Sequence, residues 1–182
     1  MRPVFILSLP RSRTAWLAMY LNGAGIYSFH EAWRHAKNAQ ELHQIMEGRG
    51  DIVVNSDSTN VLFYRELREE FPEAKFVRIV RPLESVRYSI EKSYGPVDLL
   101  ILSKWYSAVC DAKVDYEIDY DKWTPDVSWL LWKFIGGKWL DPYWHETAHD
   151  MKIELSQERV CKDHILSTQT CDVDHIAAKL RG

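Results

Sequence analysis

Apolar and polar positions fall in alternating blocks along the first 140 residues. Residues 4–9 form a short apolar run closed by Pro10, and residues 14–21 form an apolar stretch of helical length that stops at Asn22-Gly23. The pattern predicts a strand, a turn and a helix. A second strand follows over residues 25–30, a helix within 34–47, and, after the breaker Gly48-Arg49-Gly50, a third strand over 52–55. Residues 62–71 have helical spacing and end at Pro72, while residues 75–80 are rich in β-branched side chains and read as a strand. Pro82 opens a helix to about residue 93, another covers 97–112, and residues 114–120 form the last strand. Thr124-Pro125-Asp126 then caps a helix that stops at Gly136-Gly137.

Strands alternating with helices of this length predict βαβ units. The expected fold is a single-domain three-layer α/β/α architecture over residues 1–182, with a mainly parallel sheet. Ligands of such sheets bind beyond the carboxyl ends of the strands, which directs attention to the residues just past each strand.

Composition narrows the function classes. The 182 residues are 46% hydrophobic with 8 Trp, 9 Tyr and 6 Phe, too much apolar surface for a disordered chain. A formal charge of −3 excludes broad coating of nucleic acid. Ten of the twelve arginines nevertheless precede residue 93, and arginine is the side chain suited to bidentate contact with phosphate or sulfate. The three cysteines, Cys110, Cys161 and Cys171, lack the even, dense pattern of a secreted disulfide scaffold. No apolar run spans a bilayer, and Pro10, Arg11 and Arg13 interrupt the first run before signal-peptide length. The expectation is a cytoplasmic chain with neither membrane nor nucleic acid as partner.

Two strand ends carry the strongest chemistry. Ser8-Leu9-Pro10-Arg11-Ser12-Arg13-Thr14-Ala15-Trp16 joins the first strand to the first helix without the G-x-x-x-x-G-K-[ST] of a nucleotidase loop. Free N–H groups at a helix start, two guanidinium groups and two hydroxyls still converge there, a combination suited to an anion. In Phe76-Val-Arg-Ile-Val-Arg81-Pro82-Leu-Glu-Ser-Val-Arg-Tyr-Ser89, Arg81 stands at a strand end and Ser89 eight positions on.

The Pro-Arg-Ser-x-Thr-x-Trp segment resembles the 5′-phosphosulfate loop of the sulfotransferase family, usually Pro-Lys/Arg-Ser-Gly-Thr-x-Trp. Arg81 and Ser89 resemble that family's 3′-phosphate motif. The resemblance implies a P-loop-type fold and a donor, 3′-phosphoadenosine-5′-phosphosulfate, whose phosphosulfate is gripped by Arg11. Ser12, Arg13, Thr14 and Ala15 line the same loop, and Trp16 lies near the adenine. Arg13 departs from the family's glycine, which restricts the loop backbone and adds a cation. Residues 118–123 resemble the family's late strand ending in Tyr-Glu-Asp-Leu, and residues 130–136 its following helix. The match fades over residues 140–182. By this resemblance the product is adenosine 3′,5′-bisphosphate, the acceptor is a small-molecule or glycan hydroxyl or an amine, and no metal is required.

Sulfuryl transfer needs a base for the acceptor. Phe29-His30-Glu31 follows the second strand, and either His30 or Glu31 suits that role; several family members use a Glu here, which favours Glu31. Asp57 and Ser58, after the third strand, either orient the acceptor or form a turn.

A noncatalytic phosphonucleotide-binding module of the same fold is the alternative, since Arg13 replaces the flexible glycine. Two metal-like patterns also occur. His145-Glu146-Thr147-Ala148-His149 fits the H-E-x-x-H of zinc peptidases, with Glu154, Glu158 or His164 as third ligands, but against the sheet pattern it reads as solvent-facing helix residues. Cys161, His164, Cys171 and His175 have spacings unlike those of common zinc knuckles. Trp129, Trp132, Trp139, Tyr143 and Trp144 are candidates for an acceptor pocket, a lid or core.

Overall fold

The computed structural model describes residues 1–151. Five strands, β1 (Arg2–Ser8), β2 (Ile26–His30), β3 (Ile52–Ser56), β4 (Lys75–Val80) and β5 (Tyr116–Asp119), form one sheet in the order β2-β3-β1-β4-β5. Every pairing is parallel, with Val4 beside Val54 on one edge of β1 and Lys75 on the other. β1 and β3 are buried on both faces, which explains their unbroken apolar character; the edge strands β2 and β5 are only partly covered.

Among the described residues seven helices flank the sheet: α1 (Thr14–Tyr20), α2 (Ala39–Met46), α3 (Tyr64–Glu70), α4 (Leu83–Tyr94), α5 (Leu99–Asp111), α6 (Pro125–Ile135) and α7 (Pro142–Asp150). Alternate strand residues point to opposite layers. Phe5, Leu7, Val53 and Phe76 meet the apolar faces of α2, α3, α4 and α5, while Val4, Ile6, Val54 and Val77 meet α1, α6 and α7. This is the expected α/β/α sandwich.

The local signals behave as their chemistry dictates. Thr124 accepts from the Val127 amide at 3.4 Å ahead of Pro125, and Gly136 ends α6 with φ +98°. Gly137 is required for space instead, since a Cβ there would stand 2.1 Å from the Trp132 indole nitrogen. The predicted helix over residues 62–71 is two pieces, a 3-10 turn over Ser58–Phe63 and then α3, because the Asp57 side chain caps the turn through the Thr59 amide. No helix among the described residues is long and apolar enough to cross a membrane. The candidate zinc residues Cys161, His164, Cys171 and His175, with Glu154 and Glu158, lie outside the described residues.

Candidate functional site

β1 is the central strand, with β3 on one side and β4 on the other, so the loop leaving its carboxyl end sits where neighbouring connections diverge. In a parallel α/β sheet that divergence opens the crevice used by ligands. The loop has two left-handed residues, Arg11 (φ 66°) and Arg13 (φ 65°). Such backbone costs a non-glycine residue on the order of 1–3 kcal/mol. Position 13 is where the sulfotransferase pattern carries glycine, and the backbone gives the reason: the turn into α1 demands a left-handed residue, and here an arginine adopts it.

The second motif comes to the same place. Arg11 Nε donates to Ser89 Oγ at 3.2 Å across 78 positions of sequence, and Arg81 donates to the Arg11 carbonyl. Arg81 also stacks over the Tyr120 ring, 4.3 Å from its centre, and its Nε is buried without a partner. Ser12 is fully buried, and its hydroxyl and that of Ser8 have no hydrogen-bond partner. Buried polar atoms left unpaired beside two guanidiniums are what an anion site displays before its anion completes it. The residues present therefore fit a phosphate- or sulfate-bearing ligand.

The candidate base follows β2. His30 Nε2 lies 3.3 Å from Thr14 Oγ1 and 4.0 Å from Glu31 Oε1, and Glu31 is ion-paired with Arg34 at 2.7 Å. Glu31 itself is left-handed, with φ 60°. Beneath this turn, Asp57 accepts from the Trp33 amide at 3.4 Å and from the Thr59 amide at 2.8 Å, clamping the ends of β2 and β3 together. Burial pushes the Asp57 carboxyl above the usual range, with the nearby Glu31 charge adding to that and the amide bonds opposing it. A buried hub missed by sequence reasoning supports both. Asn60 accepts from Trp33 Nε1 and Asn55 Nδ2, each at 2.8 Å, and donates to the Ile6 and Asn55 carbonyls. It closes the polar run of residues 55–60, and nothing in that run sets it apart from its neighbours. Ser56 Oγ, at the end of β3, donates to the Thr14 carbonyl at 2.8 Å and joins this group to the anion loop.

Other sequence candidates are positioned differently. Trp16 is buried, stacked on Tyr20 at 4.8 Å, and donates from Nε1 to the Ala148 carbonyl at 2.8 Å. His145 and His149 are half-buried against α1 rather than solvent-facing: His145 Nδ1 shares a 2.9 Å hydrogen bond with the Tyr20 hydroxyl, and the His149 ring lies 4.9 Å from that of Trp16. The apolar face of α7 turned them inward. Among the described residues no group of three or more His, Cys, Asp or Glu stands close enough to hold a metal ion. The five aromatic candidates for an acceptor pocket, a lid or core are dispersed. Trp132 is core, Trp144 donates to the Tyr20 carbonyl at 3.1 Å, and Trp129, Trp139 and Tyr143 are exposed. A surface concavity lined by Met1, His43, Glu47 and Gly48 lies at the opposite end of the strands and contains neither motif.

Comparison with curated proteins finds no match. Solved structures share the fold at low identity. The mouse sulfotransferase SULT7A1 complexed with PAP superposes with a TM-score of 0.56 at 14% identity, over 81% of this chain and 64% of that one. This chain thus spans under two thirds of that protein's length. A sulfotransferase from Alicyclobacillus acidocaldarius matches with a TM-score of 0.54 at 13% identity, over 100% of this chain and 95% of that one. The tunicamycin resistance protein of Deinococcus radiodurans matches with a TM-score of 0.55 at 12% identity, over 78% and 99%. A family model described as the Sulfotransferase domain matches residues 3–172. That match runs through both arginine motifs and nearly the whole sequence, and the chain belongs to the sulfotransferase domain family.

Proposed function

We propose that the protein transfers a sulfuryl group from 3′-phosphoadenosine-5′-phosphosulfate to a hydroxyl or amine acceptor. The observation that carries this reading is the convergence of Arg11, Arg81 and Ser89 on one loop, although they are distant in sequence. The PAP bound to the mouse structure supports a nucleotide of this class.

In this reading Arg11 and the N–H groups of residues 12–14 balance charge on the donor's phosphosulfate. Arg81 and Ser89 take the 3′-phosphate. The acceptor oxygen forms a bond to sulfur while the bond from sulfur to the bridging phosphate oxygen breaks. Its electron pair leaves with adenosine 3′,5′-bisphosphate, and the acceptor proton passes to the base. Arg11, next to the departing phosphate, acts where negative charge grows, the placement from which electrostatic catalysis gains most. No metal is needed for these steps.

Glu31 is the base in this proposal, its carboxylate oriented by Arg34 at the mouth of the sheet. A second reading assigns the base to His30, because its Nε2 is within hydrogen-bonding reach of Thr14 on the anion loop. Glu31→Gln and His30→Asn separate them: the variant that loses turnover yet keeps donor affinity identifies the base.

Calorimetry with adenosine 3′,5′-bisphosphate against adenosine 5′-monophosphate, followed by a transfer assay with the sulfuryl donor, tests the proposal. Tight, 3′-phosphate-dependent binding with transfer supports it. Binding without transfer to any of a panel of acceptors identifies a phosphonucleotide-binding module, and no preference for the 3′-phosphate refutes both.

A further inference from the structure

Arg13 occupies a strained left-handed position where the sulfotransferase pattern carries glycine, and it exposes its side chain. Its guanidinium stands over three rings at once, 5.4 Å from the centre of Trp123, 5.5 Å from Tyr120 and 5.9 Å from Trp16. Among the described residues no carboxylate pairs with it, unlike Arg34, Arg78 and Arg87. Aromatic faces order a cation without neutralising it, so this arginine keeps its full charge and its N–H edge for a ligand.

The location of that charge is informative. Tyr120 carries Arg13 and also Arg81, whose guanidinium is 4.3 Å from the same ring centre. Arg81 gives one N–H to the Arg11 carbonyl and keeps a buried, unpaired Nε. The two arginines thus flank one side of the loop, while Arg11 reaches Ser89 on α4. A phosphate monoester near neutral pH carries up to two negative charges and three acceptor oxygens, more than a single guanidinium satisfies.

We propose that the Arg13 guanidinium, which shares Tyr120 with Arg81, is a further residue by which this site selects a nucleotide bearing a 3′-phosphate over one lacking it. The inference rests on the donor-binding reading above and adds to it a specificity determinant that the glycine-bearing loop pattern does not possess. Arg13 acts here through its side chain, and its backbone strain is retained for that purpose.

The test is calorimetry on the full chain with adenosine 3′,5′-bisphosphate and adenosine 5′-monophosphate, comparing the wild type with Arg13→Gly and Arg13→Lys, alongside thermal melting. Arg13→Gly removes the guanidinium and the strain together. The expected result is a fall of about tenfold or more in the ratio of bisphosphate to monophosphate affinity, with a raised melting temperature. Arg13→Lys keeps the charge without the stacked fork and should fall between. A merely structural role would move affinity and melting temperature in the same direction. Unchanged bisphosphate affinity in Arg13→Gly, or equal loss for both ligands, overturns the inference while leaving the donor-binding reading intact. A wild type with no preference for the bisphosphate refutes the donor-binding reading, and the inference with it.

Discussion

Arg11 and Arg81 meet at one carbonyl, but truncating them should have different kinetic signatures. Arg11→Ala removes the cation next to the breaking bond, so kcat/KM for transfer should fall by at least about 10²-fold, most of it in kcat. Arg81→Ala removes a ground-state contact and should raise the donor dissociation constant about 10- to 100-fold with a smaller change in kcat. Steady-state kinetics beside calorimetry distinguishes the two, and full activity in both variants would refute the assignment. Asn60→Ala should act on stability instead. It deprives Trp33, Asn55 and Ile6 of buried hydrogen-bond partners, for an expected loss of about 3 kcal/mol in denaturant titrations. At this scale the sequence pointed to residues that the fold brings together, Arg11 with Ser89 and Arg81 with the Arg11 carbonyl. It was silent on the left-handed backbone of Arg11, Arg13 and Glu31, because the signal for that conformation is glycine or asparagine and none stands there.

α7 is held to α1 by side chains that a proton can alter. The His149 ring is pushed below the ordinary histidine range, chiefly by burial and then by the His145 and Arg13 charges, with Asp150 acting the other way. Trp16 and Tyr20 of α1 face the same ring. The unfolded chain takes up a proton here near pH 6.5, whereas the folded helix does so only at lower pH, so His149 favours docking above that value and opposes it as the pH falls. Protection factors of the amides over residues 142–150, taken against the intrinsic exchange rate at each pH, should therefore fall between pH 7 and pH 5, and His149→Phe should remove most of that dependence. Equal protection factors at both pH values would show that the ring does not control docking. The helix was visible in the sequence as an H-E-x-x-H segment, but its inward face was not, because the partners that bury it, Trp16 and Tyr20, lie more than a hundred positions away. Bounds set by local chemistry, such as the cap at Thr124 and the stop at Gly136, were legible for the opposite reason.

Across the molecule the arginine bias and the strand order act together. Arg11, Arg13 and Arg81, all from the arginine-rich first half of the sequence, follow the carboxyl ends of β1 and β4 and place positive charge at that end of the sheet in a chain whose total is −3. Binding of adenosine 3′,5′-bisphosphate at about 100 times its dissociation constant should add about 2.7 kcal/mol to stability, a rise on the order of 5–10 °C in melting temperature for a protein of this size. The rise should shrink with added salt, because part of the attraction is screened. A salt-independent shift would argue against an arginine-lined site. The strand order itself followed from the alternation of elements only as far as a parallel sheet; which strand lies centrally depends on long-range pairing.

The central position of β1 has a consequence during synthesis. Its partners arrive late, since Val4 pairs with Val54 and then with Lys75. At about 5–20 residues per second, roughly 4–14 s separate the emergence of Val4 from that of Lys75. Throughout that interval a four-residue apolar stretch, Val4 to Leu7, presents unpaired edges in the growing chain. Nascent chains arrested before Lys75 should be readily digested by protease or captured by chaperones, and those arrested well beyond Asp119 should resist. The same strand that centres the candidate site is thus the segment most exposed to misassociation while the protein is being made.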